Sequence, residues 1–326
     1  MFDKNFIIGF WLLWSISVGS QTQLKDAETQ KPVAFATISF GNGQGLFADD
    51  EGVFVYKKKL YPDVDTLYIS ALGYKDKIVP TEALPQTLFI DPEPLSLDEV
   101  VLTAKNEKKY KLEERKPFVD DDYFKCWLPS IESEIAVYFE NNSGDVKKIE
   151  KVQFPISTES KDWSQRKKKN ADKRPFSTLF KVKFYTNENG LPGKVINYSP
   201  IVFIATEKNA KTFQLDVSDH DIYLTEKGLF VSLQVLGYTD KAGKLLPNKK
   251  YREIKTAKGM IKVATNFRPL LPFTDKISEH RTFVKRVFVQ NNKWVQFSKG
   301  NIKESNLLDA GLNNYGVGLT LRVYQD

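Results

Sequence analysis

Polar and apolar residues alternate along most of this chain, and almost nowhere do they recur at the spacing of a helix. Leu67, Ile69 and Ala71 alternate with Thr66, Tyr68 and Ser70, the period of two that sends successive side chains to opposite faces of a strand. The same period runs through Val152, Phe154 and Ile156, and through Phe180, Val182 and Phe184 with Lys181 and Lys183 on the other face. It recurs at Val231, Leu233 and Val235 against Ser232 and Gln234, and at Val317, Leu319, Leu321 and Val323. Residues 283–289 and 294–297 flank Asn291-Asn292, which predicts a hairpin. One short helix is predicted, around residues 306–310. Aromatic and β-branched residues dominate the apolar set, which favours strands. The expected class is all-β.

The strands of residues 21–104 are short and heavily punctuated. Residues 26–32 read as a hairpin connection and 33–40 as a strand. Gly41-Asn42-Gly43-Gln44-Gly45 reads as a loop that glycines relax into, and Asp49-Asp50-Glu51-Gly52 as a tight turn before Val53-Phe54-Val55. Residues 88–90 and 97–103 supply the last two strands. Six or seven short strands in so few residues describe a small β-sandwich.

Four pieces of this segment, in order, resemble the carboxypeptidase-regulatory-like domain. They are the opening 26–38, the Asp-x-x-Gly-x-Phe turn at Asp49 to Phe54, Ser70-Ala71-Leu72-Gly73-Tyr74, and the closing Leu97-Asp98-Glu99-Val100-Val101. The resemblance covers about a quarter of the chain. It implies a transthyretin-like seven-stranded sandwich, a folding and docking unit with no catalytic role, of the kind found in envelope proteins of Bacteroidota. The family's Thr before the Asp-x-x-Gly turn is replaced here by Ala48 or Asp49, depending on alignment.

Residues 105–117 are mostly charged, with one Leu and one Tyr, and read as a solvated linker. From 118 to 326 the strands lengthen, and the expectation is a larger antiparallel β-sandwich or jelly roll. The run Phe184-Tyr185, Gly190-Leu191-Pro192-Gly193, Leu215-Asp216-Val217 and residues 228–233 is similar to jelly-roll-like domains that follow the regulatory-like module in Bacteroidota proteins. That likeness implies an architecture and no activity.

Residues 1–20 stand apart. Lys4, an apolar run from Phe6 to Val18 and the small residues Gly19-Ser20 match a secretory signal cleaved after Ser20. This run of thirteen residues, broken by Ser15 and Ser17, falls short of the roughly 20 that span a bilayer. The expected location is outside the cytoplasm: periplasm, outer-membrane-associated or cell surface. Cys126 is the only cysteine, so no intramolecular disulfide or cysteine zinc cluster can form.

Charge divides the chain as the strand pattern does. Residues 21–104 hold 7 Lys against 13 acids, whereas 105–326 hold 40 Lys and Arg against 27 acids. The basic second half suits an anionic partner. The densest basic cluster is Arg166, Lys167, Lys168 and Lys169, followed by Lys173 and Arg174. This is the candidate anionic-partner patch, set against the plainer reading of a solvated loop. Trp127, Trp163 and Trp294 could stack on sugar rings if exposed.

Catalytic inventory is thin. His220 and His280 are the only histidines, there is no His-Glu-x-x-His or Gly-x-Ser-x-Gly motif, and Gly41–Gly45 lacks the Lys-Ser/Thr of a phosphate loop. Asp216, Asp219 and Asp221 could gather around calcium, but the EF-hand glycine and distal Glu are missing and a solvated turn is the simpler reading. Asp120, Asp121 and Asp122 read as a polar entry to the second domain. No catalytic residue, metal or cofactor is assigned. The expected function is a non-catalytic binding, scaffold or adaptor protein of the envelope, its partner an envelope protein or polysaccharide and not a nucleic acid; the alternative is a carbohydrate-binding module.

Overall fold

A computed structural model describes residues 21–93, 109–120, 122–168, 170–209, 211–247, 249, 251–256, 259–291 and 293–324. The predicted leader and the strand expected at 97–103 lie outside them. The chain is all-β, and among the described residues no helix is long and apolar enough to cross a membrane.

Among the described residues the first lobe has seven strands: β1 (Gln21–Asp26), β2 (Thr37–Ser39), β3 (Gly45–Phe47), β4 (Val53–Val55), β5 (Thr66–Ser70), β6 (Lys77–Pro80) and β7 (Thr87–Ile90). They form two sheets, β4-β1-β7 and β3-β2-β5-β6, with β1 and β7 parallel. Leu24, Ile38, Phe54, Leu67, Ile69 and Ile90 fill the space between. The alternation read at 66–71 is that of β5, whose Leu67 and Ile69 point inward. Asp49 builds the turn before β4: its Oδ1 accepts the amides of Glu51 and Val53 (3.0 and 2.8 Å), leaving that carboxylate a structural task.

The second lobe continues with β8 (Tyr110–Arg115), β9 (Cys126–Trp127), β10 (Ser133–Phe139), β11 (Lys147–Pro155), β12 (Ser177–Glu188), β13 (Leu191–Val195), β14 (Ile201–Thr206), β15 (Thr212–Asp216), β16 (Tyr223–Leu224) and β17 (Leu229–Tyr238). After these come β18 (Tyr251–Thr256), β19 (Gly259–Ala264), β20 (Leu271–Thr274), β21 (Thr282–Arg286), β22 (Val295–Gln296), the short helix α1 (Asn306–Asp309), β23 (Asn314–Tyr315) and β24 (Gly318–Tyr324). A seven-stranded sheet runs β13-β12-β17-β10-β21-β22, with β14 also on β12; a five-stranded sheet runs β15-β11-β24-β8, with β16 also on β11. Their facing side chains, among them Val152, Phe154, Phe180, Val182, Phe184, Val231, Leu233, Leu319 and Leu321, make one large core. The predicted hairpin after residue 283 is the β21–β22 pair, and the predicted helix is α1, capped by Ser305. Among the described residues β18 and β19 pair only with each other, as a separate two-stranded sheet.

The linker reading of 105–117 needs correction. Residues 110–115 are β8, in register with β24 from Tyr110 opposite Tyr324 to Arg115 opposite Leu319. The second lobe therefore begins before residue 118. Main-chain hydrogen bonds hold this strand, which needs no apolar face, and a charged outer strand protects the sheet edge. Its Glu113 pairs with Lys147 (2.9 Å) and Arg115 (3.0 Å).

The two lobes dock through the glycine loop. Ser39 Oγ and the Gly43 amide both donate to the Phe288 carbonyl at 2.9 Å. The Phe47 and Phe288 rings lie 5.1 Å apart. Gly41 and Gly43 adopt positive φ (80° and 83°), which costs glycine nothing. At Gly45 the requirement is space: a Cβ would stand 2.3 Å from the Phe288 ring. Lys181 Nζ donates to the Phe35 carbonyl at 2.8 Å, and Lys244 reaches Asp49 and Glu51 at 3.6 and 3.5 Å.

Candidate functional site

The basic cluster sits on the long connection from β11 to β12. Its neck is closed by backbone hydrogen bonds, Lys161 to Asp172 and Arg174 to Glu159, both 2.8 Å. Inside the excursion Asp162 accepts the Ser164 amide (2.8 Å) and caps a 3-10 turn over Trp163–Gln165. The Arg166 guanidinium lies 4.4 Å over the Trp163 ring, and one of its nitrogens donates to the Trp163 carbonyl at 2.9 Å. A cation over an indole face holds both groups in place.

A second capped turn completes an aromatic cluster. Asp122 accepts the Phe124 amide (3.0 Å) and starts a 3-10 turn over Tyr123–Lys125. That turn sets Tyr123 at 5.4 Å and Phe124 at 6.1 Å from Trp163. The Tyr123 hydroxyl donates to the Thr158 carbonyl (3.1 Å) and accepts the Ser160 amide (3.0 Å), locking the turn to the loop. Phe124 is 75% exposed and Trp163 48%. Apolar rings presented this openly, beside cations, make this the candidate contact surface.

The structure separates the six predicted patch residues. Arg166 is on the tryptophan, and Lys167 and Lys168 are exposed beside it. Lys173 turns back to the Thr158 carbonyl (3.4 Å) and Arg174 lies 4.0 Å from Glu159, both at the neck. Lys169 is outside the described residues. Of the three tryptophans only Trp163 offers an open face. Trp127 packs edge-on to Phe273 at 6.0 Å, and Trp294 edge-on to Tyr185 at 5.5 Å. Sequence reasoning missed Tyr123 and Phe124, although the Asp-Tyr-Phe order at 122–124 carries the capping signal that positions them.

The acidic clusters have other tasks. Asp216 accepts the amide and hydroxyl of Ser218 (3.0 and 2.6 Å), which hold its carboxyl below the usual range. Asp221 pairs with Lys148. Asp120 accepts the Asp122 amide (2.9 Å) and pairs with Lys125 (3.1 Å); Asp121 is outside the described residues. Among the described residues no three His, Cys, Asp or Glu side chains gather as metal ligands would.

A further concentration of charge lies on the face of the seven-stranded sheet turned away from the core. Register places Lys181, Gln234, Glu134 and Lys285 in one row across β12, β17, β10 and β21. Glu134 is fully buried; its Oε1 accepts from Ser232 Oγ (2.7 Å) and Tyr185 OH (2.8 Å), and its Oε2 from Lys183 (3.0 Å). Burial pushes its carboxyl up, but the charges of Lys183 and Lys285 outweigh that and hold it at about 2. Burial and the charge of Lys183 push Lys181 down to about 7. Four aromatic rings, Tyr138, Tyr185, Phe230 and Phe283, continue this face beyond the charged row. Glu134, Lys181, Lys183 and Tyr185 are tied to neighbours by hydrogen bonds, whereas both amide atoms of the buried Gln234 side chain have no hydrogen-bond partner among the described residues. The chain matches no protein-family model, no curated protein and no solved structure.

Proposed function

We propose that this protein is a non-catalytic, exported binding protein of the cell envelope that holds an anionic polysaccharide on the basic face of its second lobe. The observation that carries the reading is the exposed pair Trp163 and Phe124 beside Arg166, Lys167 and Lys168. A flat ring can stack on a sugar face while neighbouring cations meet its acidic groups. The leader-like residues 1–20 and the resemblance of 26–101 to the carboxypeptidase-regulatory-like domain support an envelope setting and a docking role for the first lobe. Among the described residues that lobe consists of two packed sheets of short strands, the architecture that the resemblance implies.

Affinity electrophoresis of the protein through gels containing acidic and neutral polysaccharides tests this. Retardation by the acidic polymer is expected, weakening steeply between about 50 and 500 mM salt as screening shortens. Trp163→Ala and the triple change Arg166→Gln, Lys167→Gln, Lys168→Gln should each lower it severalfold. Equal mobility in all gels, or retardation that ignores both variants, would refute the reading.

A further inference from the structure

Beyond the neck of the basic loop, three arginines from distant parts of the chain converge. Arg174 comes from the end of the loop, Arg252 from β18 and Arg268 from the segment leading into β20; with Pro175, Tyr238 and Asn266 they line a cleft of about 170 Å³. Guanidinium stays protonated under all physiological conditions and presents a planar fork of donors that matches the oxygens of phosphate, sulfate or carboxylate. The carboxylate that reaches these groups among the described residues is Glu159. Its Oε2 bonds Arg268 Nε and lies 4.0 Å from Arg174 Nε. Arg268 also has one nitrogen on the Phe267 carbonyl (3.4 Å), and its own carbonyl accepts from Thr178. It is therefore fixed in position. Arg252 is exposed and makes no ion pair among the described residues.

The charge balance selects the ligand. Three guanidiniums against one carboxylate leave two positive charges uncompensated in one cleft. A sulfate ester or a carboxylate brings a single negative charge. A phosphomonoester brings roughly −1.5 to −2 at pH 7 and three acceptor oxygens, enough for a fork from each arginine. Tyr238 adds an aromatic wall, its ring 4.7 Å from Phe267 and its hydroxyl at the Asn266 carbonyl (3.5 Å). We infer that this cleft is a phosphomonoester site that recognises a phosphorylated sugar residue of the polymer held by the basic face. The inference rests on the anionic-glycan reading only for the carrier of the phosphate.

Titration calorimetry on the full chain tests it with three small probes: methyl phosphate, methyl sulfate and acetate. Methyl phosphate should bind saturably and about tenfold more tightly than either monoanion. Its affinity should rise between pH 5 and 7.5 as the second phosphate proton, with a pKa of about 6, leaves. Arg174→Gln and Arg252→Gln change exposed side chains, so the unliganded melting temperature should hold while methyl phosphate affinity falls about tenfold in each. The inference is overturned if methyl phosphate binds no better than methyl sulfate, or if both variants bind it as the parent does. Retention of acidic polysaccharide without methyl phosphate binding would remove this site and leave the broader reading standing. Methyl phosphate binding that both variants weaken, without polysaccharide retention, would do the reverse.

Discussion

Replacing Glu134 by Gln keeps the shape of the side chain and removes its charge from the row on the outer face of the seven-stranded sheet. Glu134 has no exposed surface and accepts three side-chain hydrogen bonds, from Ser232, Tyr185 and Lys183. The substitution removes the ion-pair partner of Lys183 and leaves Lys285 only the charge of Asp76, on a face that already carries Lys181. The folded carboxyl titrates at about 2 against an ordinary 4.5, which corresponds to a stabilisation of ~3 kcal/mol. Breaking a buried pair from one side typically costs about 3–5 kcal/mol, so both routes meet near ~3 kcal/mol. A carboxyl held low contributes fully above its unfolded value and loses that contribution as pH falls. The gap between parent and Glu134→Gln should accordingly be complete at pH 7, shrink below pH 4.5 and close toward pH 2. Urea unfolding of both proteins at pH 7, 5 and 3 measures it. A gap under about 1 kcal/mol at pH 7, or one that stays constant with pH, would refute the argument that this carboxylate is held ionised by its lysines.

Three further outcomes follow from separate contacts. Lys181 is held at about 7 in the fold against an ordinary 10.5; the unfolded chain thus binds more protons between these values, and stability should rise from pH 7 to 10.5. Lys181→Met should flatten that rise, as read from melting temperatures at pH 6 and pH 9.5. Gly45→Val puts a side chain where the Phe288 ring and the Ile38 carbonyl (2.5 Å from an ideal Cβ) already stand; a loss of about 1–3 kcal/mol in urea is expected, and an unchanged midpoint would show that this lobe contact yields. Tyr315 is buried and its hydroxyl donates to the Pro155 carbonyl at 2.9 Å, so Tyr315→Phe should cost about 1 kcal/mol at constant m-value.

Several elements were legible because their cause is local. A period of two is enough to name β5, β11, β12, β17 and β24 and to say which side chains face inward, since the pleat alone sets that alternation. The capped helix at 306–309 and the Asp49 turn are likewise written in neighbouring residues. The strand at 110–115 was not legible, because nothing in its charged side chains reports the main-chain partner β24, some two hundred residues away. The loop excursion was visible as charge. Its aromatic half, from a turn at 123–125, was not.

By itself the sequence determined an all-β chain in an acidic and a basic half, with a loop rich in cations and only two histidines. Tertiary structure alone decided that the polar face of β12 would be roofed, turning Lys181 and Lys183 from ordinary outward lysines into members of a buried network. It alone brought Arg174, Arg252 and Arg268 to one cleft. The division has a physical cause: alternation and capping act over a few residues of chain, whereas the burial of a charge and the convergence of guanidiniums depend on which distant surfaces come to rest against each other.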